Sequence, residues 1–161
     1  MNKLIIWLSI LIIISACLFL LPLSSHSWKP FRCNTQVSAS IAKKKGDEIE
    51  LNVNINVIAF HKEQSEVLVV GSLKNKNENY TVFRRIFITH KPANINDYST
   101  TVVTSERRHP TDNVPDTLWQ HYVLSEIPGV ALYVETKHLR GNLLLYKGLD
   151  NPIFICTITK Q

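Results

Sequence analysis

Strict alternation of apolar and polar residues between Ile49 and Val57 restricts the fold of this chain more than any other feature of its sequence. Aliphatic residues take the odd positions and polar residues the even ones, as in Leu51-Asn52-Val53-Asn54. Successive side chains of a β-strand point to opposite faces of its sheet, whereas an α-helix repeats every 3.6 residues. The segment therefore predicts a strand with one buried face and one solvated face.

Further segments carry weaker versions of this pattern and are rich in Val, Ile, Thr, Tyr and Phe. Most are separated by Gly, Asn, Asp and Pro, the residues that form turns. Together with Glu48 to Phe60 they make about eight strands: Gln36 to Ala42, Glu66 to Leu73, Tyr80 to His90, Tyr98 to Thr104, Val130 to His138, Asn142 to Tyr146 and Ile153 to Thr159. Short strands of this number predict a mainly β fold, either a small antiparallel barrel or a sandwich.

One interval, Arg107 to Gly129, interrupts the strands with prolines and a helix-compatible stretch from Asp116 to Val123. Asp116 follows a proline and is placed to cap one short helix. We expect this helix to lie across one mouth of a barrel as a lid. Its aromatic side chains, Trp119 and Tyr122, would then face a cavity for a small apolar ligand. A barrel interior filled by side chains is the alternative.

The second strong feature is the uncharged apolar stretch from Leu4 to Leu23. A helix needs about 20 apolar residues to cross the hydrocarbon core of a membrane. The stretch predicts a transmembrane anchor, with residues 1–3 as a cytoplasmic tip and residues 24–161 as one domain outside the cytoplasmic membrane. Two alternatives remain: a cleaved signal peptide, or a lipoprotein lipidated at Cys17 within Ile14-Ser15-Ala16-Cys17. All three place the same domain on the outer side.

Cysteine usage agrees with export. Cys33 and Cys156 are the only cysteines in the predicted outer domain, one near its start and one near its end. Disulfides persist in oxidising compartments outside the cytoplasm. We therefore expect a Cys33–Cys156 disulfide, with two buried free thiols as the alternative.

Neither charge nor motifs indicate nucleic-acid binding or catalysis. The net charge of +5 is a mild excess, and no groove-reading motif accompanies it, so no direct nucleic-acid contact is expected. No hydrolase, zinc or reactive-cysteine motif is recognisable, so we expect no enzyme activity, no cofactor and no metal. Asp112 and Asp116 lie near His109 and His121, but loop solubility and helix capping explain these carboxylates more simply than an acid/base or metal cluster.

Taken together, the histidines of the chain support the hypothesis of a pH-sensing role. Imidazole is the side chain whose ordinary pKa lets it report mild acidification. A pH-sensing role would draw on six residues: His26, His61, His90, His109, His121 and His138.

Four short motifs, combined with the apolar N-terminal stretch, resemble the FidL-like family. They are Phe31-Arg32-Cys33, Tyr80-Thr81-Val82-Phe83-Arg84-Arg85-Ile86, Asp112-Asn113-Val114-Pro115-Asp116 and Pro152-Ile153-Phe154-Ile155-Cys156-Thr157. The resemblance covers essentially the whole chain. It implies a lipocalin-like periplasmic barrel on a single-pass inner-membrane anchor, and the family's paired cysteines correspond to Cys33 and Cys156.

The resemblance also implies a partner. This is a membrane-bound winged-helix transcription activator of the ToxR, PsaE or MyfE kind, bound through its periplasmic segment. The small protein would stabilise the activator, as in the ToxR–ToxS pair, and support fimbrial or adhesin gene expression, a virulence function. In some relatives a bile-salt-like molecule takes part. The alternative is a stand-alone envelope protein, either ligand-binding or an accessory factor of fimbrial assembly.

Overall fold

A computed structural model describes residues 28–42, 48–76, 78–95, 97–124 and 129–159, with positions 3, 5–7, 11, 12 and 15 near the N-terminus. From residue 28 onward, the described part contains eight strands and one short helix, α1 (Asp116–Tyr122), between β5 and β6. The strands are β1 (Phe31–Ala42), β2 (Glu48–His61), β3 (Gln64–Asn75), β4 (Glu78–Pro92), β5 (Tyr98–Arg108), β6 (Ala131–His138), β7 (Leu143–Lys147) and β8 (Pro152–Thr159).

The strands form one closed barrel. Each strand pairs antiparallel with its neighbour in the chain, and β1 also pairs with β8. This confirms the predicted mainly β fold and decides for a barrel over a sandwich. The alternation that predicted β2 is retained, because Leu51, Val53 and Val57 are buried while Asn52 and Asn54 are exposed.

The barrel core consists of the inward-facing aliphatic residues of β2 to β5 and of residues from the α1 region. Gly71 on β3 lies directly against the backbone of β2 at Asn52 and Val53. A Cβ atom added there would lie 2.1 Å from the carbonyl oxygen of Asn52. Even an alanine at this position would therefore push the two strands apart.

The barrel wall is uneven in height. β1 to β4 contain 12 to 15 residues each, whereas β6, β7 and β8 contain 8, 5 and 8. β6 pairs with β5 only from Tyr98 to Val102, so the second half of β5 extends beyond it. Val114, Trp119 and Leu124, which follow β5 in the chain, pack in or against the core.

The seam between the first and last strands is short and covalently closed. β8 pairs with β1 at Arg32, Cys33 and Asn34 alone. The predicted disulfide between Cys33 and Cys156 is present at this seam, and both residues are fully buried. It links positions 123 residues apart in the sequence.

The start of α1 differs from the prediction. Asp116 does not cap α1: Pro115 occupies the N-cap position, and no side chain caps the helix. The Asp116 carboxylate binds Arg84 instead.

The predicted anchor, residues 4–23, lies largely outside the described residues, and its lipidation candidate Cys17 lies wholly outside them. In the described part of the chain, no helix has the length and apolar character to span a bilayer.

Candidate functional site

An ion cluster is centred on the buried side chain of Arg84 on β4 and extends to the exposed Asp116. Arg84 alternates in phase with Val82 and Ile86, so its side chain points inward, and it is 3% exposed. Its guanidinium donates to Glu106 Oε1 at 2.7 Å and to Asp112 Oδ2 at 3.2 Å. It also donates to Asp116 Oδ1 at 3.0 Å. Several acceptors for one guanidinium offset the desolvation of a buried cation.

Asp112 fastens the β5–β6 connection to β4. Its Oδ2 accepts the backbone N–H of Phe83 at 2.8 Å, and its Oδ1 accepts that of Val114 at 3.1 Å. Arg108 binds the same carboxylate at 2.9 Å. The next residue, Asn113, accepts the backbone N–H of Thr81 at 2.6 Å. Asp112 and Asn113 thus continue the sheet with side-chain acceptors where β5 has ended.

Trp119 of α1 joins this cluster to the core. Its indole N–H donates to Glu106 Oε2 at 3.1 Å, and the Arg84 guanidinium lies 4.6 Å from its ring centroid. Trp119 is almost completely buried. Three motif residues quoted above, Arg84, Asp112 and Asp116, therefore meet in space and hold α1 in place.

Beyond Trp119 the barrel contains a cavity of about 400 Å³. Aliphatic residues of β2 to β6 make up nine of its eighteen lining residues, and Trp119 and Leu124 from the α1 region and Phe154 of β8 also line it. The volume lies within the range of about 300–1,000 Å³ that is usual for small-molecule sites. The interior is therefore not completely filled by side chains.

One polar group of side chains interrupts the apolar wall. Ser65, His90 and Thr101, here called the polar trio, come from β3, β4 and β5 and all line the cavity. His90 Nε2 lies 2.6 Å from Ser65 Oγ, and His90 Nδ1 lies 3.1 Å from Thr101 Oγ1. Both ring nitrogens thus have a hydroxyl partner.

Burial determines the protonation of the two titratable residues that line the cavity. It lowers the pKa of His90, since desolvation disfavours the imidazolium. It raises the pKa of Tyr146 to about 12, since desolvation disfavours the phenolate. Both side chains are therefore uncharged at neutral pH.

The second candidate site is an open edge on β1. β8 covers β1 only as far as Asn34, and within the described ranges no strand pairs with that edge from Thr35 to Ala42. Here we call this stretch the open edge. A polar depression of about 640 Å³ lies beside it, lined by amide side chains that include Gln36 and Asn54.

The direction of the backbone groups at the open edge follows from the ladder. Along an antiparallel strand, successive residues direct their N–H and C=O groups to opposite sides. Phe83 of β4 directs its backbone N–H and C=O groups away from β3. Its N–H donates to Asp112 Oδ2, and its C=O accepts the backbone N–H of His109. The strand registers carry this orientation from β4 through β3 and β2 to β1. They direct the backbone N–H and C=O groups of Gln36, Ser38 and Ser40 toward the open edge.

The remaining predicted site residues are dispersed. Tyr122 packs half-buried against the core but is not among the residues that line the cavity. The predicted lid role of Trp119 and Tyr122 stays a prediction. His109 stacks on Phe83, and His121 contacts the ring of Tyr122. Among the described residues, no three or more His, Cys, Asp or Glu side chains are grouped so as to hold a metal ion.

Arg84 and the polar trio were not predicted as site residues from the sequence. A usable sign was present, because Arg84 and His90 occupy the same alternating positions as Val82, Ile86 and Ile88. A polar residue in the apolar phase of a strand is buried and needs partners. Their partners lie on other strands, in the connection after β5 and in α1, and a single sequence does not reveal them.

Comparison with known proteins identifies a family. The model described as FidL-like putative membrane protein matches residues 71–156, more than half of the chain. The match includes β4, β5, α1 and Cys156, and therefore the ion cluster and most of the cavity wall. A comparison with curated proteins finds no match. The chain belongs to the FidL-like family.

Proposed function

We propose that this protein is a membrane-anchored co-regulator. Its barrel lies in the periplasm, where it binds and stabilises a single-span, winged-helix transcription activator and so supports fimbrial or adhesin gene expression. The open edge of β1 is the observation that carries this proposal. Unpaired backbone donors and acceptors of an edge strand form a template for a strand from another chain.

The character of the open edge favours a specific partner. Long exposed edges promote aggregation, and proteins usually shorten them or block them with charge, proline or a covering segment. Here the exposed side chains of the edge include Gln36, Ser38 and Ser40, none of which is charged. A strand of the activator's periplasmic segment would pair with this edge and gain order, which is the basis of stabilisation in this proposal.

The N-terminal segment supports a membrane location. Ile5, Trp7 and Leu11 are helical and 62%, 72% and 69% exposed. Apolar side chains that protrude in this way need a nonpolar environment. Together with the uncharged stretch from Leu4 to Leu23, they favour an anchor whose helix is surrounded by lipid.

Co-purification tests the proposal directly. The tagged full-length protein is isolated from its native membranes, and the proteins recovered with it are identified by mass spectrometry. We expect a single-span protein with a cytoplasmic winged-helix domain. Recovery of a folded barrel without such a protein would contradict the co-regulator role.

A pair of variants at Ser38 tests the open edge itself. Ser38→Pro removes a backbone N–H that points away from β2, so the β1–β2 ladder is kept, and edge strands tolerate proline. Ser38→Ala removes the same hydroxyl but keeps the N–H and is the matched control. We expect Ser38→Pro to reduce the recovered activator several-fold and Ser38→Ala to leave it unchanged. Equal recovery with both variants would exclude pairing at this edge.

The cavity favours a second candidate function, a ligand-binding envelope protein. A cavity of about 400 Å³ with one polar group is characteristic of a small-molecule site. The two functions are compatible, because the residues that line the cavity do not include those of the open edge. Thermal unfolding of the full-length protein with candidate ligands tests this function, since a ligand that binds only the folded state raises the midpoint.

A further inference from the structure

We propose that the cavity binds an apolar molecule that carries one uncharged hydrogen-bonding group, with that group bound to the polar trio of Ser65, His90 and Thr101. A medium-chain alcohol is the simplest example. This inference rests on the proposal that the cavity is a ligand site. It does not depend on the co-regulator role.

The size and wall of the cavity define the apolar part of the ligand. At about 30 Å³ per water-sized group, a volume of 400 Å³ accommodates roughly thirteen non-hydrogen atoms. The wall around that volume is aliphatic and aromatic, apart from the polar trio. A chain of about twelve carbons with one polar end therefore matches both the volume and the lining.

The hydrogen atoms of the polar trio define the polar part. Two hydroxyls and a neutral imidazole carry three polar hydrogens, while the two contacts to the ring of His90 use two of them. One hydroxyl must donate to the unprotonated ring nitrogen, and the other accepts from the ring N–H. The accepting hydroxyl keeps its own hydrogen, which a hydroxyl or carbonyl oxygen of a ligand can accept.

The charge of the wall excludes ionic head groups. Among the lining residues in the described part of the chain there is no Asp, Glu, Lys or Arg. His90 and Tyr146 are the only titratable ones, and burial keeps both uncharged at neutral pH. An ammonium, carboxylate or phosphate group would lose its hydration without gaining a counter-charge, which costs several kcal/mol.

Photo-crosslinking tests the inference with the full-length protein in lipid nanodiscs at pH 7.5. Four twelve-carbon probes carry the same diazirine on the chain and end in a hydroxyl, a methyl, an ammonium or a carboxylate group. Modified residues are located by mass spectrometry. We expect the alcohol to label cavity-lining positions such as Ile88 and Val103 more strongly than the two ionic probes.

Paired double variants test the polar trio. Ser65→Ala with Thr101→Val removes both hydroxyls and should reduce labelling by the alcohol roughly three- to tenfold, the effect of losing one hydrogen bond. Labelling by the methyl-ended probe should not change, which shows that the variant is folded. Ser72→Ala with Thr136→Val alters exposed positions of β3 and β6 and is the matched control.

Each contrary outcome overturns the inference. Equal labelling by the ionic probes would show that charge does not select the ligand. Unchanged labelling of the double variant by the alcohol would show that the trio does not bind the head group. Labelling confined to the proposed anchor, residues 4–23, would show that the cavity does not bind the probes. Co-purification of the activator from native membranes tests the co-regulator role separately. Either proposal can therefore be contradicted without affecting the other.

Discussion

At the scale of residues, the barrel depends on polar side chains that face inward and are fully paired. Arg84 is buried with Asp112, and both are nearly inaccessible to solvent. No buried side-chain nitrogen or oxygen atom in the described ranges lacks a hydrogen-bond partner. Such pairs add little net stability when intact, yet loss of one partner leaves an uncompensated buried charge.

Arg84→Met should therefore destabilise the protein by about 3–5 kcal/mol, because it leaves the Asp112 carboxylate buried with fewer cationic partners. Arg85→Met is the matched control. Arg85 is the next residue, points outward and binds Glu66 at the surface, so its loss should cost below about 1 kcal/mol. Urea unfolding of the full-length protein in detergent measures both values. A similar small loss for both variants would show that the cluster does not hold the barrel.

His90 makes stability depend on pH in a defined direction. Burial lowers its pKa below the ordinary value of about 6.5, so the unfolded chain takes up a proton before the folded protein does. Its contribution to stability is complete above about pH 6.5 and decreases as the pH falls toward the lowered pKa. Ser65 and Thr101 contact its ring, and Tyr146 is the other titratable residue that lines the cavity.

We expect His90→Gln to reduce the difference in unfolding free energy between pH 7.5 and pH 5.5. His138→Gln, which alters an exposed histidine of β6, controls for the general loss of an imidazole. Denaturant unfolding at both pH values gives the comparison. An unchanged pH dependence in His90→Gln would mean that another group is responsible for any acid response.

At the scale of elements, the alternating pattern predicted the strands well and their ends less well. β5 was predicted to end at Thr104 but continues to Arg108. Glu106, Arg107 and Arg108 do not resemble strand residues by composition. Glu106 is acceptable there because it binds Arg84 and Trp119, which lie 22 and 13 residues away in the sequence. Tertiary pairing of this kind overrides local preference, and the local sequence does not contain it.

The seam is the element contact most dependent on one covalent bond. In the chain-entropy model, a disulfide that closes a loop of this length stabilises by up to about 4–5 kcal/mol. Cys33→Ser with Cys156→Ser should therefore lower the unfolding free energy substantially and expose the amides of β8. Hydrogen exchange should increase most in β8, while β3, which is paired along its length on both sides, should change less. An equal increase in hydrogen exchange in β8 and β3 would contradict this prediction, because it would show that the whole barrel opens and not the seam alone.

At the scale of the whole molecule, the sequence was sufficient for the fold class, the strand number, the short helix and the disulfide. Each of these depends on regular alternation, turn composition or residue counts. A cavity was also expected, but its polar trio and the open edge depend instead on differences in length between strands and on contacts across the barrel. Those quantities arise only when the sheet closes.

Membrane attachment is a prediction about the whole chain. We expect the full-length protein to stay in the membrane fraction after alkaline extraction, with its barrel accessible to protease from the periplasmic side. Cys17→Ser should not change this, because the uncharged segment itself is the proposed anchor. Release of the Cys17→Ser variant, or lipid attached to Cys17 in the unmodified sequence, would support the lipoprotein alternative.

The position of the two cysteines also limits when the barrel can be closed covalently. In a chain exported from its N-terminal end, Cys33 leaves the membrane well before Cys156, which follows 123 residues later. Until β8 has crossed, Cys33 keeps a free thiol and β1 has no strand on its second side. In the proposed topology, oxidation of this pair would therefore report that translocation has passed β8, and it would separate finished molecules from stalled ones.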